Sequence, residues 1–375
     1  MTRSLLAAGA FAIATVTATA AFAQQEVPIG AIEILSGPSA SYGIAIKAGL
    51  EMALDEINSA GGVLGGKKLT LVIEDSAGNK DQAVNAARKL VGRDKVPVII
   101  GPTLSNEMFA VGPVTNQRKV VTVGTSTTAK GITEMGPYIF RTSLPEADVV
   151  PVTLKTAKDK FGVKTIAMMY ANDDAFSKSG FDSMKAAAEA LGLNIATIET
   201  FGSKDTDFSA QLTKIKGLNV DAITVSALVE PISGVLLQAR QLGIPASVRF
   251  IGGNGANSPK LGEIAGEAAD GLLVGSPWFV DKKDAANVKF VSDFRKKYGK
   301  DPDQFAAQAY DTMHIVAKAV DAAGASDSDA IREALLKTRH SGVMGPFSFT
   351  PGRDPASAEG VVVLTMKGGK FQILE

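Results

Sequence analysis

Short, largely apolar runs alternate with helix-patterned stretches along this chain, and the series occurs twice in succession. Val27–Ile34, Leu69–Ile73, Val96–Ile100 and Val120–Val123 read as strands. Between them, Ser41–Ser59 places Tyr42, Ile46, Leu50, Ala53 and Ile57 on one helical stripe, and Asp81–Val91 is a second helix. The second series reads Thr165–Tyr170 (strand), Ser183–Leu191 (helix), Asn194–Glu199 (strand), Ser209–Lys216 (helix), Ala222–Ser226 (strand), Val235–Leu242 (helix) and Phe250–Ile251 (strand). Strands that are continuous apolar runs, rather than alternating ones, belong to parallel sheets covered on both faces by helices. After Gly271 the pattern changes. A strand at Gly271–Val274, helices at Gln304–Ala323 and Asp329–Lys337, and a closing hairpin from Val361–Met366 to Phe371–Leu374 are expected.

Two α/β lobes follow from this doubling and from size, because 375 residues exceed what a single compact core usually organises. No low-complexity linker separates the two series, so the chain is expected to cross between lobes more than once through ordered segments. The N-terminus sets the destination. Arg3 precedes an Ala-rich apolar run from Leu5 to Ala23, which ends in the A-x-A pattern Ala21-Phe22-Ala23. That reads as a cleaved secretory leader covering residues 1–23, rather than a membrane anchor, because Ala and Thr dominate the run. With no cysteine there is neither a disulfide framework nor a lipid-attachment thiol after the leader. Lys and Arg total 39, as do Asp and Glu, and this balance gives no reason to expect nucleic acid or an anionic membrane as partner. A freely diffusing periplasmic monomer is the expectation.

Signatures of catalysis are scarce. Gly61–Lys67 fits G-x-x-x-x-G-K, but Lys68 stands where a magnesium-holding hydroxyl belongs. The segment also leads from helix to strand, the reverse of a phosphate-binding loop, so it reads as a turn. Gly252–Gly255 lacks dinucleotide spacing and reads as a loop. The two histidines, His314 on a predicted helix and His340 in a predicted loop, suggest neither a metal site nor a triad. Glu74-Asp75 and Asp173-Asp174 follow strands and read as turn and capping acids. No cofactor, metal or catalytic residue is expected.

The strand ends stand out instead. Ligands of open parallel sheets bind beyond the carboxyl ends of the strands, where helix N-termini offer free N–H groups. Val96–Ile100 leads into Gly101-Pro102-Thr103-Leu104-Ser105-Asn106, and Val120–Val123 into Gly124-Thr125-Ser126-Thr127-Thr128. Short hydroxyl donors at two strand ends suit a carboxylate held without a formal positive charge. They would equally serve as ordinary helix caps.

Together Leu35–Gly43 (LSGPSASYG), Glu56–Gly66, Gly101-Pro102 with Ser105, Asp207–Leu212 (DFSAQL), Gln238–Gly243, Ala309-Tyr310-Asp311 and Gly345–Phe349 carry a resemblance. The chain resembles the periplasmic leucine/isoleucine/valine-binding proteins, the substrate-binding components of ABC importers, over nearly its whole mature length. The resemblance implies a type I periplasmic binding fold, two Rossmann-like lobes with parallel sheets joined by three hinge crossovers. Residues 24–143 with 275–358 would form one lobe, and 144–274 with 359–375 the other. It implies that Ser105, Gly124 and Ser126, with Asn106 and Thr125 beside them, hold a ligand carboxylate. Tyr42, Phe176 and Phe305 fall at aromatic positions of the family pocket. Trp278, following Gly275-Ser276-Pro277 near a crossover, is a candidate cover for the cleft.

One departure bears on the ligand. Amino-acid binders of this family carry a Glu where this chain has Asn254, and there it takes the ligand's ammonium. A family Tyr is also replaced, by Leu228, with Glu230 close by. An amide cannot neutralise a sequestered ammonium, and an unpaired buried cation is costly. The expected ligand is therefore a small apolar carboxylate without an ammonium: an aromatic or branched 2-oxo acid, or an aromatic carboxylate. Delivery to an inner-membrane ABC permease is implied. The rival within the class is a branched-chain amino-acid binder in which Glu230 takes the ammonium. A sensory binding protein shares the same sequence features. A Rossmann-type oxidoreductase would need the nucleotide fingerprint and catalytic constellation that the chain lacks.

Overall fold

The computed structural model describes residues 26–356 and 360–375; the leader expected at residues 1–23 lies outside the described residues. The first series gives β1 (Val27–Glu33), α1 (Ala40–Ser59), β2 (Leu69–Asp75), α2 (Lys80–Gly92), β3 (Val98–Ile100), α3 (Ser105–Gln117), β4 (Val121–Gly124) and β5 (Ile139–Arg141). Its five strands form one parallel sheet in the order β2-β1-β3-β4-β5. Every residue of β3 and β4 is buried, which is why these runs carry no charged residue and, apart from Thr122, no polar one. Each such Val or Ile contributes roughly 1.5–3 kcal/mol by leaving water.

The second series gives α4 (Glu146–Phe161), β6 (Thr165–Ala171), α5 (Ala175–Ala190), β7 (Asn194–Phe201), α6 (Ser209–Lys216), β8 (Ala222–Ser226), α7 (Val229–Gln241), β9 (Arg249–Gly252), α8 (Pro259–Ala265) and β10 (Leu273–Ser276). The chain then returns to the first sheet with α9 (Ala285–Tyr298), α10 (Gln304–Ala323), α11 (Ser328–Lys337) and the antiparallel pair β11 (Arg339–Gly342) and β12 (Gly345–Ser348). It finishes on the second sheet with β13 (Val362–Lys367) and β14 (Lys370–Ile373). That sheet runs β14-β13-β10-β9-β8-β6-β7, with β13 and β14 antiparallel and the rest parallel. Strand β7 alternates between exposed and half-buried residues because it is the sheet's edge, and a Glu199–Lys214 ion pair covers it.

Among the described residues the chain therefore passes between sheets three times, after β5, after β10 and after β12. This is the type I periplasmic binding fold that the resemblance implies. Among the described residues no helix is long and apolar enough to cross a membrane.

Helix packing brings the two ends of the first lobe together. Helices α1 and α10 pack so closely that a Cβ on Gly49 would lie 2.1 Å from the Ala306 carbonyl oxygen. That approach sets Tyr42, in the first turn of α1, edge-on to Phe305 in the first turn of α10, with ring centroids 4.9 Å apart.

Several local expectations need correction. Helix α5 starts at Ala175 and α7 at Val229, well before the expected Ser183 and Val235. Helices α3 and α4 carry Pro113 and Pro151 in their interiors and so read poorly as helices from sequence. His340 lies in β11, not a loop. The Gly61–Lys67 turn is as expected, closed by a Val63–Lys67 bridge.

Candidate functional site

Six strand ends meet at the seam between the lobes. Strand order reverses between β1 and β3 in the first sheet and between β6 and β8 in the second, and such switch points open a crevice beyond the strands' carboxyl ends. The first lobe lines the resulting cavity with Tyr42, Thr103, Leu104, Ser105 and Ser126, together with Phe305 from α10. From the second lobe come Phe176, Leu228, Asn254 and Gly255, from the segments after β6, β8 and β9. A larger hollow lies between α4 and α5 near Lys155, Lys178 and Leu191, with Phe109 and Arg141 also on its wall.

No charged side chain lines this cavity. Its field comes from helix ends instead. Tyr42 and Phe305 lie in the first turns of α1 and α10, Ser105 begins α3, Phe176 is the second residue of α5, and Leu228 caps α7. Five helix N-termini thus converge on one space, which favours negative charge and disfavours positive.

The lobes are clasped shut by polar contacts at the rim. The Tyr42 hydroxyl donates to the Gly255 carbonyl at 2.5 Å and accepts the Val229 N–H at 2.9 Å. Asn106 donates to the Asp174 carboxylate at 2.6 Å and accepts the Ala175 N–H at 2.9 Å. Asp174 caps α5 through the Ser177 N–H, the role expected of it.

Two wall groups keep a proton for a ligand. Ser105 Oγ accepts the Ala129 N–H at 3.3 Å, which leaves its O–H to donate. Asn254 is the other, and its amide orientation follows from a chain of bonds. The Ser276 hydroxyl lies against two acceptors, the Trp278 carbonyl and, at 3.1 Å, Gln304 Oε1. The Asn257 NH2 donates to Ser276 Oγ at 2.8 Å and to Gln304 Oε1 at 2.6 Å. Gln304 then donates its own NH2 to Asn254 Oδ1. What Asn254 can offer the cavity is its NH2, a donor. Its backbone N–H is held by the buried Glu146 carboxylate at 2.9 Å.

Seven of the expected residues meet on the wall: Tyr42, Ser105, Ser126, Phe176, Leu228, Asn254 and Phe305. Five do not. Asn106 is spent on the rim clasp. Gly124 ends β4, where its carbonyl accepts the Thr142 N–H, and Thr125 is fully buried behind the wall. Glu230 sits in the first turn of α7, half-buried against the Ser39 hydroxyl at 3.4 Å, while its neighbour Leu228 takes the place on the wall. Trp278 faces a separate hollow with Phe279 and Phe371, its indole N–H bonded to Asn287 at 2.7 Å. It does not cover the cleft. Ser126 also differs from expectation, because its proton goes to the Thr103 carbonyl at 2.6 Å. Thr103, Leu104 and Gly255 were missed as wall residues. They lie in the strand-end loops already singled out, but which side chain turns inward depends on loop geometry, beginning with the left-handed Gly101 at φ 96°.

Two α/β lobes thus close on a small cavity lined by uncharged side chains, with hydrogen-bond donors in its wall. The chain belongs to the periplasmic binding protein family, whose model its residues 26–370 match. It is 31% identical over 324 residues, 85% of each chain, to the leucine-, isoleucine-, valine-, threonine- and alanine-binding protein of Pseudomonas aeruginosa. Among solved structures it is similar to the branched-chain amino acid transporter substrate-binding protein LivJ from Streptococcus pneumoniae, in complex with isoleucine. Identity there is 30%, TM-score 0.87, and coverage 93% of this chain and 99% of that one. It is also similar to the solute-binding protein of an ABC transporter from Rhodopseudomonas palustris, in complex with 3,4-dihydroxybenzoic acid. Identity is 25%, TM-score 0.83, and coverage 92% and 95%.

Proposed function

We propose that this chain is the periplasmic substrate-binding component of an ABC importer and that its ligand is a small apolar carboxylate lacking an ammonium group. Aromatic or branched 2-oxo acids and aromatic carboxylates are the favoured class. The observation that carries this reading is the donor polarity of Asn254, whose Oδ1 accepts the Gln304 NH2 within the Ser276–Asn257–Gln304 network. A 2-oxo acid presents only acceptors at its polar end. Its carboxylate would meet the Ser105 hydroxyl and the converging helix ends, and its keto oxygen the Asn254 NH2. Phe176, Phe305, Leu104 and Leu228 would bury the apolar remainder. The protein would leave the cytoplasm by its cleaved leader, work as a monomer without cofactor, and hand its ligand to an inner-membrane permease.

The second reading, a branched-chain amino-acid binder, is favoured by the ligands in the names of its relatives. It requires Glu230 or Glu146 to reach the ammonium from outside the wall. A thermal-shift screen separates the two, since a ligand that binds only the folded state raises its stability. Stabilisation by phenylpyruvate or benzoate supports the proposal. Stabilisation by leucine and valine alone overturns it.

A further inference from the structure

Beneath the Thr103–Ser105 edge of the cavity lie two buried carboxyl groups that no cation neutralises. Glu33, the last residue of β1, and Glu107, in the first turn of α3, are both fully buried. Each spends one oxygen on the loop above it. Glu33 Oε2 accepts the Thr103 hydroxyl at 2.6 Å, and that hydroxyl accepts the Ile34 N–H at 3.1 Å. Glu107 Oε2 accepts the Leu104 N–H at 3.2 Å. Glu33 Oε1 is buried without a hydrogen-bond partner, and the buried Ser76 hydroxyl is the one polar side chain that eases Glu107.

The charged groups around the pair offer no relief. Besides each other, the acids face Asp75 at the end of β2, itself a carboxylate bonded to Leu35, Ser36 and Ala77. On the packed helix α2, Lys80, Asp81 and Arg88 are exposed and Lys89 pairs with Glu74. Glu134, in the short turn Thr133–Met135, is exposed. On α5, Lys178 pairs with Asp182 and Lys185 with Glu189, and Asp174 at its start is bonded to Ser177 and Asn106. Two adjacent buried carboxylates without a counter-ion cannot both stay ionised at modest cost. Burial raises both, Glu107 to about 7.

We propose that Glu33 and Glu107 are positioning residues for the anion-binding edge of the cavity, holding Thr103 and Leu104 in place while retaining at least one proton between them. This rests on the reading that Ser105 faces the ligand's carboxylate. With the proton in place the edge carries a reduced negative charge, and an anion is accepted. Loss of the proton adds negative charge beneath the same loop and weakens anion binding as pH rises.

The test compares the mature wild type with Glu107→Gln, whose amide oxygen can still accept the Leu104 N–H. Phenylpyruvate affinity and ligand-free thermal unfolding are measured from pH 5 to 8.5. Wild-type affinity is expected to fall several-fold between pH 6 and 8.5, and the Gln variant to stay flat. Without ligand, wild-type stability should decline more steeply between pH 5 and 7 than the variant's, because only wild type must keep this proton to stay folded. Parallel pH profiles in both measurements overturn the proposal. If phenylpyruvate fails to bind at any pH, the functional reading fails, and the unfolding profiles alone decide on the acid pair. Should Glu107→Gln not fold, Glu33→Gln keeps the Thr103 contact through its amide oxygen and is judged by the same comparison.

Discussion

The hydroxyl of Tyr42 on one lobe donates to the carbonyl of Gly255 on the other, 213 residues away in sequence, at 2.5 Å. The same oxygen accepts the Val229 N–H, so one side chain satisfies two buried backbone groups of the second lobe. Tyr42→Phe should leave both unpaired in the closed form while sparing the core packing on Phe305. A net loss of about 1–2 kcal/mol per hydrogen-bond set corresponds to roughly tenfold weaker binding. Stopped-flow measurement should place the loss in faster ligand release, with association little changed.

The two serines at the strand ends should separate. Ser105 retains a free proton, whereas Ser126 has given its own to the Thr103 carbonyl. Ser105→Ala is expected to weaken carboxylate binding by about 1.5–3 kcal/mol, the range for a bond to a charged group. Ser126→Ala acts only through Thr103 and should cost less. Titration calorimetry on both variants, each checked for unchanged thermal unfolding, gives the order.

Trp278 carries the opposite expectation. Its indole N–H is bonded to Asn287 and its ring packs on Phe290, but only its backbone, through the carbonyl and N–H that meet Ser276 Oγ, enters the bond network that ends at Asn254. Trp278→Phe should therefore lower stability by about 1–3 kcal/mol while leaving ligand affinity within about twofold. Chemical denaturation and a binding isotherm on the same preparation check both halves.

Glu146 links stability to pH. Burial lifts its carboxyl to about 7, against the lowering effect of the Asn254 N–H. The folded state thus holds a proton that the unfolded chain gives up near 4.5. Stability from this group is full below about 4.5 and is lost as pH rises to about 7, by an amount on the order of 3 kcal/mol. Glu146→Gln should flatten that part of the unfolding-versus-pH curve, as read by urea denaturation between pH 4.5 and 7.5.

The sheets were legible because buried parallel strands leave a clear trace: the runs around Val98–Ile100 and Val121–Gly124, free of charged residues and polar only at Thr122, had one sensible reading. Helices with internal proline, α3 and α4, hid their periodicity, and the early turns of α5 and α7 hid in what read as loops. The site was legible as a set of strand ends but not as a set of orientations. Ser105 and Asn106 are adjacent, yet one faces the cavity and the other clasps the partner lobe. The polarity of Asn254 depends on Ser276, Asn257 and Gln304, which converge only after two chain crossings. Sequence could name the amide but not which of its two ends faces the ligand.

That orientation is tested most directly by a pair of ligands differing only in the group set against Asn254: 4-methyl-2-oxopentanoate and leucine. Titration of the mature protein with each, at one pH and salt concentration, compares a keto acceptor with an ammonium donor on the same branched side chain. An oxo acid bound at least tenfold more tightly than leucine is the expected result. Leucine bound more tightly than its oxo acid would contradict the assignment of Asn254 as a donor to the ligand.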